Sequence, residues 1–287
     1  MTEVATFATS DQLLVVIDPV ARRADGEAVR IAKDVLSAGA AHTKVCLPDG
    51  PEEFARALAR RGSRRPVVVG DDRALVRTVS LLHRQRELAE CALSVVPVGA
   101  ALSLARSLGV PTGAVAAARA VLDGVERRLD LLVDDSDGVV LGALRIPPVS
   151  AQTAPDASPD GPSARPWLRT CQSLVRTLVP ARPAREDVVT GPGPSRLRVE
   201  VDGVTLVDLG QPLETVSVTP GASGVVEVEI RPASVGAEAS PVRAAGKTVT
   251  VVGADFRYHS DAGVAGPVRR RTWTVWEAAW GLTLPSS

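Results

Sequence analysis

The stretch VVVGDDRALVRTVSLLHR, residues 67–84, runs from an apolar strand through Gly70 and two adjacent acids, Asp71 and Asp72, straight into an amphipathic helix. A strand, a glycine turn and a helix N-terminus make a ready anion site, because unpaired backbone N–H groups and the positive end of the helix dipole point at one spot. Two carboxylates at that spot repel a phosphate unless a divalent metal stands between them, or unless they cap the helix that follows. Phosphate binding, metal binding and N-capping of a helix starting near Arg73 therefore all stay open. Neither a dinucleotide fingerprint, G-x-G-x-x-G, nor a Walker loop, G-x-x-x-x-G-K-[ST], is present.

The elements that must position this turn follow from hydrophobic periodicity. LLVVID (13–18) is a continuous apolar run, as expected of a strand buried on both faces, and EAVRIAKDVLSAGA follows with helical spacing. KVCLP then predicts a strand, PEEFARALARRG a helix opened by Pro and acids, and RPVVVG the strand that feeds the turn. LSVVPVG predicts a fourth strand and AAARAVLDGVERR a further helix. Such alternation implies a parallel sheet covered on both faces, with ligands at the carboxyl ends of its strands. Pro19, Gly70 and Gly99 lie at those ends.

The composition changes after Arg145. PPVSAQTAPDASPDGPSARP (147–166) has turn chemistry throughout and predicts a linker or long loop, and PWLRTCQSLVRTLVP predicts a helix behind a Pro start. Beyond it the period becomes two: LRVEVDGVTLVDL, ETVSVTP, GVVEVEIRP, KTVTVVGADFRYH and RRTWTVWEAAWGLTLP predict antiparallel strands of a sandwich or barrel.

Bulk properties exclude several function classes. The 287 residues carry 33 basic and 33 acidic side chains, and a net charge of zero argues against nucleic acid as a partner. Cys46, Cys91 and Cys171 show neither zinc spacing nor a disulfide framework, which fits a reducing cytosol. No signal peptide is expected, and no uncharged apolar run approaches the ~20 residues that span a bilayer. The expectation is a cytoplasmic protein, soluble or peripheral at the inner membrane face. His42, His83 and His259 lack metal spacing and read as ordinary histidines. Arg269–Arg271 beside Trp273, Trp276 and Trp280 suit either contact with an anionic lipid surface or a core strand with an exposed basic end.

Several partial motifs add up by their order. IDPVAR ends the first strand, VVVGDDRAL the third and PVGAALSLARSLGVP the fourth, while RRLDLL follows a helix. In this order they resemble the catalytic domain of the diacylglycerol kinase family of lipid kinases, related to NAD kinases. That family has an N-P-x-S-G turn, a G-G-D-G-T loop and a P-x-G-T-x-N-D-x-A-R segment, followed by a β-sandwich domain. The resemblance extends to the V-D-G turn at Val201–Gly203. It implies an α/β domain with a parallel sheet over 1–133 and a mainly β sandwich domain over 134–287. It also implies ATP and Mg²⁺, a lipid substrate or membrane surface as partner, and compatibility with a homodimer.

Carried over residue by residue, the family's loop glycine and Asp fall on Gly70 and Asp72, while its remaining glycines and Thr are Asp71, Arg73 and Ala74. Glycines serve in such loops because backbone must approach a nucleotide closely. The Arg73 guanidinium offers a substitute phosphate contact. Pro97, Gly99, Ala105 and Arg106 match the second segment, whose Thr, Asn and Asp have become Ala100, Leu102 and Ser103. In the first turn the family's Asn is Asp18, and Pro19 is unchanged. The resemblance thus implies a nucleotide site at Asp18, Pro19, Gly70, Asp72, Arg73 and Gly99, with Asp72 also the metal ligand.

The family's D-G-E motif, whose acids act on the lipid hydroxyl, has its nearest match in HSDAGV (259–264). Asp261 is then the candidate base, with no Glu following; the alternative is a turn residue before Gly263. Where the family has a structural metal Asp, GASGVV has Ser223. Phosphoryl transfer depends on positioning and charge stabilisation, so the altered cradle implies a rate reduced by orders of magnitude. Two functions follow from the resemblance: ATP-dependent phosphorylation of a lipid hydroxyl, impaired by eroded motifs, or a non-catalytic binding or regulatory module.

Overall fold

The computed structural model describes residues 12–147, 195–221, 223–233 and 240–286. The loop expected over 147–166, apart from Pro147, and the helix expected from Pro166 lie outside the described residues.

Four strands form the parallel sheet: β1 (Gln12–Ile17), β2 (His42–Cys46), β3 (Arg65–Gly70) and β4 (Ala92–Pro97), in the order β2-β1-β3-β4. Register places Ile17 opposite Val69 and Gly70 opposite Pro97, so three strands end along one edge. Their side chains alternate between two cores. Leu14, Val16 and Val68 face α3 (Pro51–Ala59) and α4 (Asp72–Arg84) through Phe54, Leu58, Leu75 and Val79. Leu13, Val15, Ile17, Val67 and Val69 face α2 (Gly26–Gly39) and α6 (Ala114–Asp123) through Val29, Leu36, Ala117 and Val121. Each such side chain stabilises the fold by roughly 1.5–3 kcal/mol, which is why the strands are apolar on both faces.

Two short helices, α1 (Pro19–Ala24) and α5 (Ser103–Ser107), lie in stretches for which the periodicity predicts no helix. The helix expected through Arg128 stops at Asp123. Gly124 packs against the Ala120 and Leu284 carbonyl oxygens, where a side chain has no room, and Val125 opens a strand instead.

That strand, β5 (Val125–Asp134), begins the antiparallel part, followed by β6 (Val139–Val140), β7 (Leu144–Ile146), β8 (Ser195–Val201), β9 (Val204–Val207), β10 (Pro212–Pro220), β11 (Val226–Pro232), β12 (Val242–Gly246), β13 (Thr248–Ser260) and β14 (Gly263–Leu284). Alternating apolar residues of these strands fill a core around Trp273, with Tyr258 edge-on at 5.2 Å. The two parts share one hydrogen-bonded path, because Gly281 and Leu282 of β14 pair in parallel with Ala92 and Leu93 of β4. The expected division at 133/134 falls at the end of β5, a strand that serves both sides. Leu131 and Val133 pack with α4, whereas Leu132 points into the core around Trp273.

Trp273 and Trp280 are fully buried and Trp276 is 45% exposed, so β14 is a core strand with one tryptophan outside. Among the described residues no helix is long and apolar enough to cross a membrane.

Candidate functional site at the strand ends

The turns after β1, β3 and β4 meet where their strands end. Asp18 is buried at 2% exposure and caps α1, accepting from the Val20 amide at 2.8 Å, with Pro19 in the first turn. Its other oxygen takes Nη1 of Arg77 at 2.8 Å, and that guanidinium lies over the Phe54 ring, 5.7 Å from its centre. Gly70 is needed for close approach: a Cβ there would stand 2.6 Å from Ala74 Cβ and 3.1 Å from Asp18 Cβ. Gly99 has φ +133°, open to few other residues, and its Cβ would stand 3.1 Å from Asp71 Cβ.

The two acids of the turn divide the work. Asp71 is the N-cap of α4, accepting from the Ala74 amide at 3.1 Å. Asp72, 8% exposed, reaches sideways to α5. Its Oδ2 accepts from the Leu104 amide at 2.9 Å and the Ser103 hydroxyl at 3.3 Å, and its Oδ1 accepts from the Ala105 amide at 2.9 Å. The Asp72 amide donates to the Ala101 carbonyl at 2.8 Å, closing the brace between the turns. Arg73 stands exposed on the first turn of α4.

Asp261 is joined to this region through α5. Its Oδ2 accepts from the Leu141 and Gly142 amides, both at 2.7 Å. A Cβ on Gly142 would lie 2.9 Å from Asp261 Oδ1 and 3.0 Å from Leu104 Cδ1. Asp72, Leu104, Gly142 and Asp261 thus form one line of contacts. Asp18, Gly70, Asp72 and Gly99 come together directly, and Asp261 stands one helix away.

A resident Mg²⁺ does not fit at Asp72 in this arrangement. Three N–H and O–H donors already occupy its two oxygens, and the described residues hold no cluster of three or more acids, histidines or cysteines suited to a metal. The Asp72 role implied by the resemblance is carried here by structure: the carboxylate positions α5.

Other polar residues escaped the sequence reading. Arg77 is a lone cation on the apolar side of α4, which was its only signal. Asp130 ties the GASGVV turn, accepting from Gly224 at 2.7 Å and from Ala278 at 2.8 Å. His83, taken as ordinary, is buried with Nε2 2.8 Å from Asp137 Oδ1 and its ring edge-on to Trp276 at 5.2 Å. Asp134 organises the β5–β6 turn, accepting from the Ser136 amide and hydroxyl and the Gly138 amide, with Tyr258 donating at 3.3 Å. Burial alone would push the Asp134 carboxyl above its ordinary value, but the Ser136 hydroxyl, the two amides and the Arg271 charge outweigh it and hold the carboxyl below that value. Burial, then the Asp134 charge, raises the Tyr258 phenol.

The chain has counterparts among known proteins. Residues 12–133 match the family model of the diacylglycerol kinase catalytic domain. This segment belongs to the diacylglycerol kinase catalytic-domain family. The fold over the whole chain is similar to that of a diacylglycerol kinase from Bacillus anthracis str. Sterne, with a TM-score of 0.66, 11% identity and coverage of 96% of this chain and 97% of that one. Two further structures from that organism, described as candidate diacylglycerol kinases, match with TM-scores of 0.68 and 0.67 at 13% and 12% identity. They cover 98% and 96% of this chain, and 98% and 97% of theirs. No curated protein matches the chain. At these identities the solved structures show a diacylglycerol-kinase-like fold.

Proposed function

We propose that the protein carries the phosphoryl-transfer chemistry of its family in attenuated form, moving the ATP γ-phosphate to the hydroxyl of a diacylglycerol-type lipid. The observation that supports this reading is the meeting of Gly70, Gly99 and the α4 N-terminus at the ends of three neighbouring strands, with Asp261 linked through Leu104. The cleft where phosphates would lie is bounded by glycine backbone and the first turn of α4, with Arg73 as the exposed cation. Asp261 keeps Oδ1 outside the pair of amide bonds that fix Oδ2, which suits a base waiting for a hydroxyl. Rate is lost because Asp71 and Asp18 bring negative charge to a place where developing negative charge needs stabilising.

A second reading, a non-catalytic binding or regulatory module, is favoured by one observation. Asp72 is spent on holding α5, its two oxygens already accepting from the Leu104 and Ala105 amides and the Ser103 hydroxyl.

Calorimetry with Mg-ATP, followed by transfer of labelled phosphate to short-chain diacylglycerol in mixed micelles, separates the two. The kinase reading expects saturable Mg-ATP binding and slow transfer that Asp261→Asn abolishes without loss of nucleotide binding. Absence of both binding and transfer at millimolar ATP sinks it and leaves the module.

A further inference from the structure

A cavity of about 350 Å³ opens at the free edge of the parallel sheet, between β2 and α3. Lys44, Arg56 and Arg60 line it with one acid, Glu53, while Cys46 and Leu47 give it an apolar wall. Three cations against one acid leave a surplus of two positive charges. Glu53 is itself partly engaged, 3.7 Å from Arg56 through one oxygen and accepting from the Asp49 amide through the other.

The edge is poorly suited to another polypeptide. β2 has five residues, pairs among the described residues only with β1, and presents Lys44 exposed at its middle, a pattern that blocks strand addition. A second copy of this chain would set the same cations against each other. A small anion meets neither obstacle. Guanidinium forks and an ammonium together suit phosphate oxygens, and a surplus of two charges matches a dianion. The Leu47 side chain, 54% exposed, and the half-buried Cys46 offer contact to an apolar group attached to it. The volume is near the lower end of ligand pockets, roughly 300–1,000 Å³, so it takes a head and a short chain rather than a whole diacyl lipid.

We propose that the β2–α3 cavity binds a phosphate monoester bearing an apolar substituent. The site adjoins the first strand-end turn, where Arg22 of α1 donates to the Pro48 carbonyl at 3.1 Å and pairs with Asp49 at 3.0 Å, but Asp18, Gly70, Asp72 and Gly99 do not line it; α3 turns Phe54 and Leu58 toward the core and keeps Arg56 and Arg60 outside. It does not depend on the kinase reading.

The test uses the full chain and hexyl phosphate, with inorganic phosphate as a second probe, against the double variant K44Q/R60Q. Both residues are exposed, so the variant keeps its fold, which its thermal midpoint checks. Hexyl phosphate is expected to bind the wild type more tightly than inorganic phosphate does, with the double variant weaker by about tenfold or more. Bound hexyl phosphate is also expected to slow alkylation of Cys46, read by peptide mapping, and to leave Cys91 unchanged. Equal binding by wild type and variant, or no binding at millimolar probe, overturns the proposal. Competition by vesicles of phosphatidylcholine with phosphatidic acid, and not by phosphatidylcholine alone, assigns the monoester to a lipid headgroup. Binding without that competition assigns it to a soluble metabolite.

Discussion

The strand-end turns and the β-rich half use the same device, a carboxylate holding backbone amides, for different purposes. At the strand ends Asp18, Asp71 and Asp72 crowd around Gly70 and Gly99 and accept from amides of the first turns of α1, α4 and α5. In the β-rich half Asp130, Asp202 and Asp261 fasten turns to strands far away in sequence, with the Lys247 and Thr248 amides on Asp202 and the Gly224 and Ala278 amides on Asp130. On the kinase reading the first set competes with phosphate and Asp261 doubles as the base, whereas Asp130 and Asp202 only build structure. A residue that both builds and competes is the place to separate the two.

Asp72→Ala gives the largest expected effect. Two buried amides, those of Leu104 and Ala105, lose their acceptor at once. An orphaned buried donor costs about 1–3 kcal/mol, so a loss of about 2–4 kcal/mol is expected in urea unfolding. A loss below about 1 kcal/mol would show that α5 is held by packing rather than by this carboxylate. Asp130→Ala follows, at about 1–2 kcal/mol, because the Gly224 amide it accepts from is only partly buried and the Ala278 amide is exposed, so water replaces the carboxylate in part. The same unfolding curves rank the two, and a reversed order breaks the contrast between crevice and scaffold.

The comparison also shows what a sequence reader can see. Capping is local: Asp71 to Ala74 spans one helical turn, and the run of Asp before an amphipathic helix announces it. The sheet was equally legible, since Leu13–Ile17 and Val67–Val69 are apolar without a break and such runs are buried on both faces. The bracing role of Asp72 was hidden because its partners lie 32 and 33 residues on, in a helix of five residues too short to show a period. Asp130 was hidden for the same reason, with partners 94 and 148 positions away. The VERR segment was misplaced because charged residues at helical spacing continue a pattern that Gly124 ends by packing alone. The placing of Asp261 beside a glycine turn came from a motif, and its amide partners at 141 and 142 came only from the fold.

Asp71→Ala should cost about 1 kcal/mol, the value of one lost N-cap, with the rest of α4 held by its buried face. It also removes a negative charge from the crevice mouth. On the kinase reading, Mg-ATP binding therefore tightens while stability falls; on the module reading, only stability changes. A variant that unfolds more easily and still binds nucleotide better would separate scaffold from site in a single residue.

The smallest effect concerns pH and tests the β-rich half alone. Tyr258 has its phenol raised above 10.0, so at alkaline pH the unfolded chain gives up that proton before the folded one does. Stability from this group is whole below the ordinary phenol value and is lost as pH rises toward the folded value. Tyr258→Phe should flatten the fall of stability with pH above about 10, measured by urea midpoints at a series of pH values. Asp134 works in the opposite sense: its carboxyl is lowered, so its contribution is present above 3.8 and disappears as pH falls through the folded value. Asp134→Asn should flatten the acid limb and leave most of the alkaline one, because burial, the larger cause of the Tyr258 shift, survives the loss of the neighbouring charge. If Asp134→Asn erased the alkaline limb as well, the Asp134 charge, and not burial, would be what holds the Tyr258 proton, and the β-rich half would use its carboxylates electrostatically as the strand ends do.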